Sequence, residues 1–182
     1  MKKMWLVVAL FLGFSGAAHA GVMIEPYLGY EMGSSSGGSL DAKTSFTNFG
    51  ARLAWRAPVM FWLGLDANIG MSGKIKPDTG SDFDSKRTTY YAVAGIDLPI
   101  LLRGWVGYGF SNTFKNEDVT NSKWTGKTTK IGVGFTGLPF ISLNLEYLKD
   151  TVDKIESDLG TNNSPNVDHS SYMLSVSLPL NF

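Results

Sequence analysis

The chain has 182 residues, with 16 basic and 16 acidic side chains, 43% hydrophobic residues and no cysteine. A balanced charge with no basic stripe excludes the electrostatic footprint of a nucleic-acid partner. The missing cysteine excludes a disulfide framework, a thiolate metal site and a lipid anchor on cysteine.

Residues 1–20 set the compartment. Lys2 and Lys3 precede the apolar stretch Trp5 to Phe14, and the small residues Ala18 and Ala20 flank His19. This order predicts a signal peptide cleaved after Ala20. Its apolar part is shorter than the roughly 20 residues that a spanning helix needs. Cleavage leaves 14 basic against 16 acidic residues in 21–182, one domain's length of chain. Every later apolar run is interrupted by Gly, Asp, Asn or Lys before helical-span length, a test that says nothing about membrane strands.

From residue 21 the sequence alternates apolar and polar positions in segments separated by turn-rich stretches. The pattern predicts strands at 22–32, 44–56, 60–71, 87–98, 103–114, 126–136, 140–150 and 169–182. The third sets Phe61, Leu63, Leu65, Ala67, Ile69 and Met71 against Trp62, Gly64, Asp66, Asn68 and Gly70. In the last, Tyr172, Leu174, Val176, Leu178 and Leu180 alternate with Ser171, Met173, Ser175 and Ser177, and Phe182 follows. Connections alternate in length. Those near 57–59, 99–102 and 137–139 are tight and carry Pro58, Pro99 and Pro139; those at 33–43, 72–86, 115–125 and 151–168 are long and polar. An even number of strands with short and long loops taking turns is the signature of an all-β, eight-stranded, antiparallel up-and-down transmembrane barrel.

Residue type decides which face is inside. The polar face carries Glu25, Glu31, Arg52, Asp66, Asp97, Lys130 and Glu146 at mid-strand, among many glycines and two large residues, Trp62 and Trp105. Small beside large suits a narrow interior, and charges there are expected to pair as a lumen polar network. On the apolar face, Tyr30, Phe46, Phe49, Tyr90, Phe110, Tyr147 and Tyr172 are expected at one rim. Trp55, Phe61, Phe140 and Phe182 are expected at the other, as two interfacial belts.

Together these features resemble the small outer-membrane barrels of the OmpA-transmembrane, OmpX and OmpW-like group, over nearly all of residues 21–182. The resemblance implies a bacterial outer-membrane location and a barrel among outer-membrane lipids and lipopolysaccharide, with the monomer as the favoured state. It also implies that Tyr172 and the terminal Phe182 act as the signal read by the barrel-assembly machinery.

Chemistry is sparse. No cofactor is expected. After cleavage only His169 remains, and His169-Ser170-Ser171 resembles the His-x-Ser pair of outer-membrane lipid A deacylases, with Glu146 or Glu156 available to orient the imidazole. Ser171 follows the inward set, however, so a rim histidine is the expected reading. Asp78, Asp82 and Asp84 lack the spacing of an EF-hand and read as a solvated acidic loop. The expected function is non-enzymatic: a membrane-anchored scaffold for surface loops, or an envelope-stabilising barrel. A narrow channel for small or apolar molecules is the alternative.

Overall fold

The computed structural model describes residues 21–36, 41–58, 60–78, 82–116, 123–157, 160–162 and 167–182. The signal-peptide reading of residues 1–20 therefore lies outside the described residues. Seven long strands follow one another: β1 Gly21–Ser36, β2 Ala42–Arg56, β3 Phe61–Pro77, β4 Phe83–Leu98, β5 Leu102–Asn116, β6 Lys123–Phe135 and β7 Ser142–Ser157. A short β8 (Gly160–Asn162) pairs antiparallel with the loop end of β7, and β9 (Val167–Ser177) pairs with both β7 and β1. The last piece, β10 (Leu180–Asn181), also pairs with β1 and continues the line of β9 past Pro179. The chain is thus a closed, all-antiparallel barrel of eight walls. Closure removes the sheet edge and its unpaired backbone groups.

The seam is zipped at the turn end by reciprocal backbone bonds. Val22 donates to the Phe182 carbonyl at 3.0 Å, and Phe182 donates back to Val22 at 2.9 Å. Two of the tight turns at this end hold non-glycine residues in the left-handed region, Leu101 (φ 61°) and Phe140 (φ 66°).

The strands outrun the sequence expectation at the opposite, loop end. β3 continues to Pro77 and β7 to Ser157, so much of the expected loops 72–86 and 151–168 is hairpin. The reason is physical. A strand crossing hydrocarbon needs about 9–11 residues, and beyond that band pairing can persist while the apolar alternation stops. Bulges there also change the side-chain parity. Register slips occur at Gly70/Gly73 in β3, Gly109/Asn112 in β5 and Thr125/Gly126 opposite β7.

The face assignment is inside out relative to a water-soluble barrel. Leu63, Leu65, Val106, Ile131 and Leu174 stand exposed on the outer wall at 56–64%. Arg52, Arg87, Glu25, Glu31 and Asp150 lie inside at 2% or less. The interior also contains large apolar groups, including Trp62, Tyr91, Trp105, Leu148 and Met173. Trp105 fits because Gly132 lies beneath it: a Cβ on Gly132 would come within 2.3 Å of the indole. Trp62 lies over Gly95 in the same way, at 2.2 Å.

The outer-wall aromatics stand where expected with one exception. Phe46 is fully buried and points into the lumen, where its ring meets Phe114 at 6.2 Å and covers Gly73. Its parity explains this: Thr44, Phe46, Asn48 and Arg52 share the inner face of β2, so Phe46 and Phe49 cannot both face outward. Tyr108 and Phe135 are additional outer-wall aromatics.

Candidate functional site: the filled lumen

The inner faces bury six of the seven singled-out charges, Glu25, Glu31, Arg52, Asp66, Lys130 and Glu146, and three charged residues that sequence reading missed join them: Arg87, Arg103 and Asp150. Asp97 is not at mid-strand. It sits near the turn end, about one-fifth exposed, because β4 ends one residue later.

The half nearer the turn end is organised by Arg52. Its guanidinium reaches Glu25 on β1 at 3.0 Å, Asp66 on β3 at 3.2 Å and Glu146 on β7 at 3.1 Å. A planar guanidinium with five N–H donors can serve three carboxylates on three walls at once. Its flat face lies 4.6 Å from the Trp105 ring centroid. Lys130 from β6 crosses to Asp66 at 2.7 Å and also meets Glu146 at 3.2 Å. Tyr27 donates to Asp66 at 2.8 Å, and Trp105 Nε1 donates to Glu146 at 2.7 Å. At the mouth, Arg103 bridges Glu25 (3.0 Å) and Asp97 (2.6 Å), and Arg56 closes on Asp97 as well.

The half nearer the loop end is organised by Arg87 on β4. It donates to Glu31 on β1 and to Asp150 on β7, each at 2.7 Å. Ser171 and Asn48 complete Glu31, at 2.6 and 2.9 Å, and Asn112 donates to Asp150 at 3.0 Å. His169 lies between Asp150 (Nδ1 to Oδ2, 2.7 Å) and Thr44 (Nε2 to Oγ1, 2.7 Å). Between the two halves, the buried Met173 sulfur faces the side-chain amides of Asn48 and Asn68, at 3.5 and 3.7 Å.

This arrangement answers the hydrolase pairing. Ser171 is engaged by Glu31 rather than by His169, and the imidazole is oriented by Asp150, not by Glu146 or Glu156. Glu146 serves Arg52, Lys130 and Trp105. Glu156 lies at the loop end beside Lys154 at 2.5 Å, a contact that holds its carboxyl below the usual range. His169 and Ser171 are both buried inside, away from the outer wall. The acidic loop is likewise dispersed: Asp82 pairs with Lys76 at 3.5 Å, and Asp84 lies opposite Lys74 across β3 and β4. Among the described residues no acid or histidine cluster suits a metal ion.

The interior therefore consists of ties running from wall to wall. Lys130–Asp66 and Arg87–Asp150 each join strands three apart around the ring. Parity counted along each strand would have revealed the missed members. Arg87 shares the odd positions of Tyr91, Val93 and Asp97; Arg103 those of Trp105 and Gly107; Asp150 the even ones of Glu146 and Leu148.

No protein-family profile and no curated protein sequence matches the chain. Solved structures do. Neisserial surface protein A superposes with a TM-score of 0.59 at 16% identity, covering 85% of this chain and 96% of that one. Ail, the attachment invasion locus protein of Yersinia pestis, solved in complex with the heparin analogue sucrose octasulfate, gives 0.56 at 14% identity over 89% of this chain and 100% of that one. The outer membrane protein OprG from Pseudomonas aeruginosa gives 0.56 at 13% identity, over 88% and 96%. At such identities the likeness speaks for fold, and the chain has the fold of the small eight-stranded outer-membrane barrels.

Proposed function

We propose that the protein is exported, inserts in a bacterial outer membrane with the help of the barrel-assembly machinery, and serves there as a non-enzymatic, plugged barrel. Its apolar outer wall meets lipid, and its paired strands carry polar hairpins outward from the loop end. The observation that carries this reading is the combination of an apolar exterior with a lumen crossed by ion pairs from opposite walls. Buried charge tied this way resists being opened, because separating a pair strands a charge in a poorly solvated interior. Envelope anchoring and presentation of the loop-end surface follow from such a body; conduction does not.

The test is planar-bilayer recording of the refolded protein. A silent bilayer, together with heat-modifiable migration that reports a folded barrel, is the expected outcome. Reproducible conductance steps from the same folded sample would refute the plugged-lumen reading and favour a narrow channel. A chain that stays soluble and folded without detergent would refute the membrane placement itself.

A further inference from the structure

The short turns of an outer-membrane barrel ordinarily lie in water, yet two of the turns here are apolar. Between Asp97 and Arg103 the chain reads Leu98-Pro99-Ile100-Leu101-Leu102, and from Ile131 to Leu145 it carries no charged residue. Asp97 and Arg103 are paired with each other at the mouth of the lumen, 2.6 Å apart. The two turns touch. Thr136 donates its N–H to the Leu101 carbonyl at 2.8 Å. Phe135 and Leu101 close over Gly137, where a Cβ would come within 2.4 Å of Phe135 and 3.1 Å of Leu101. Together the turns expose Ile100, Leu101, Leu102, Phe135, Leu138 and Phe140, the last at 89%. Leu101 and Phe140 hold a left-handed backbone that Gly or Asn adopts at less cost. A contiguous exposed patch of this kind marks a contact surface.

The wall that rises from the β6–β7 turn has little apolar height of its own. On β6 the outward apolar run is Phe135, Val133 and Ile131, and Thr129 and Lys127 follow it. On β7 the run is Leu143, Leu145 and Tyr147, and Lys149 follows. Each run spans five residues, roughly 13 Å of strand and about 10 Å of height at the usual strand tilt. On β1 and β3 the outward apolar positions continue over eleven residues, from Val22 to Met32 and from Phe61 to Met71. An outer-membrane barrel carries an apolar band about 25 Å tall. The eleven-residue walls fill that height, and the five-residue walls fill less than half of it. The apolar turns supply surface where the β6–β7 side falls short. Lys127 and Lys149 bound this surface above, and no charge separates the wall from the turns below.

We propose that the β4–β5 and β6–β7 turns end within the inner leaflet instead of projecting through it. Ile100, Leu101, Leu138 and Phe140 insert among its acyl chains, and the leaflet thins locally around this side of the barrel. Thinning is how a bilayer meets an apolar stretch shorter than its own thickness. It also brings headgroups and water to the turn backbone, which hydrocarbon alone would leave unsatisfied. The occupant is lipid rather than a protein because the patch continues the lipid-facing wall, with none of the polar rim that surrounds a protein-docking patch. The inference rests on the membrane placement proposed above.

The chain has no cysteine, so single-cysteine variants report depth without background. Ile100→Cys and Phe140→Cys carry an environment-sensitive fluorophore in the full chain refolded into phosphatidylcholine vesicles with brominated acyl chains. Val133→Cys on the outer wall and Thr161→Cys at the loop end are the hydrocarbon and water controls. Heat-modifiable migration confirms that each variant folds. The Ile100→Cys and Phe140→Cys labels should be quenched by brominated lipid and shielded from aqueous iodide, as the Val133→Cys label is. A second variant, Leu101→Asn with Phe140→Asn, eases the left-handed backbone while removing two apolar side chains. Its folded-to-unfolded ratio in vesicles should fall at least about tenfold, the factor carried by one large apolar side chain returned to water. A turn that met only water would be unchanged or stabilised by the same exchange. Iodide-accessible labels at both turns, or a double-Asn variant as stable as wild type, would overturn the anchor and leave the membrane barrel standing. Shielding that disappears as the protein is diluted in lipid would assign the patch to a second copy and overturn the anchor equally. An iodide-accessible Val133→Cys label would remove the membrane placement itself.

Discussion

Arg87 and Arg52 make a matched pair for testing whether the lumen ties hold the barrel closed. Arg87→Met removes two charge-assisted bonds of 2.7 Å and leaves Glu31 and Asp150 without any arginine or lysine within the network. Arg52→Met removes contacts to three carboxylates, yet each keeps a cation: Glu25 keeps Arg103, and Asp66 and Glu146 keep Lys130. Arg87 lies near one ring, Phe114 at 4.9 Å, and Arg52 near two, Trp105 at 4.6 Å and Trp62 at 5.4 Å, so the ring contribution favours Arg52 and works against the ranking that the stranded charges dictate. Breaking a buried pair from one side costs about 3–5 kcal/mol. Arg87→Met should fall near the top of that range, about 5 kcal/mol, and Arg52→Met near the bottom, about 3 kcal/mol. Urea unfolding in lipid vesicles, followed by tryptophan fluorescence, measures both at unchanged m-value. Adding Glu31→Gln and Asp150→Asn to Arg87→Met should recover part of the loss, because no uncompensated charge then remains. The reasoning fails if Arg52→Met costs more than Arg87→Met, or if Arg87→Met lies within about 1 kcal/mol of wild type.

Three further substitutions probe other parts of the interior and seam. Gly132→Val places atoms within 2.3 Å of the Trp105 indole, which is pinned by Glu146 and faced by Arg52, and should cost about 3 kcal/mol in the same unfolding assay. His169→Ala leaves Asp150 Oδ2 and Thr44 without their partner and should cost about 1–3 kcal/mol. The same variant should leave the lipid A mass spectrum of expressing cells unchanged; a deacylated species that disappears with His169 would instead revive an enzymatic role. Deleting Phe182 removes both reciprocal bonds to Val22 at the seam and an outward aromatic, so folding into vesicles should slow several-fold, with little change in the spectrum of whatever barrel forms.

Most of the wall was legible because hydrocarbon outside and ion pairs inside impose opposite demands on alternate residues. β3 and β9 each follow the predicted period of two over their membrane-length portion. The reading weakened where that demand ends. Arg87 and Asp150 fell at the ends of expected strands, where the hydrophobic alternation that marks a strand has already faded although pairing continues. Phe46 was misplaced by residue type, since an aromatic on a barrel suggests a belt, whereas strict parity with Arg52 sends it inside.

Partner choice was beyond any single strand. Which carboxylate meets Arg52 depends on the register of β1, β3 and β7 around a closed ring, and a one-residue slip would exchange inner for outer faces. The bulges at Gly70/Gly73 and Gly109/Asn112 do this locally, turning Ile75 and Phe114 toward the lumen although the parity of Asp66 and Trp105 would place them outside. These bulges fall where the strands leave the apolar band. Below them, parity is fixed by the cost of a misplaced charge; above them both faces meet polar surroundings and the constraint relaxes.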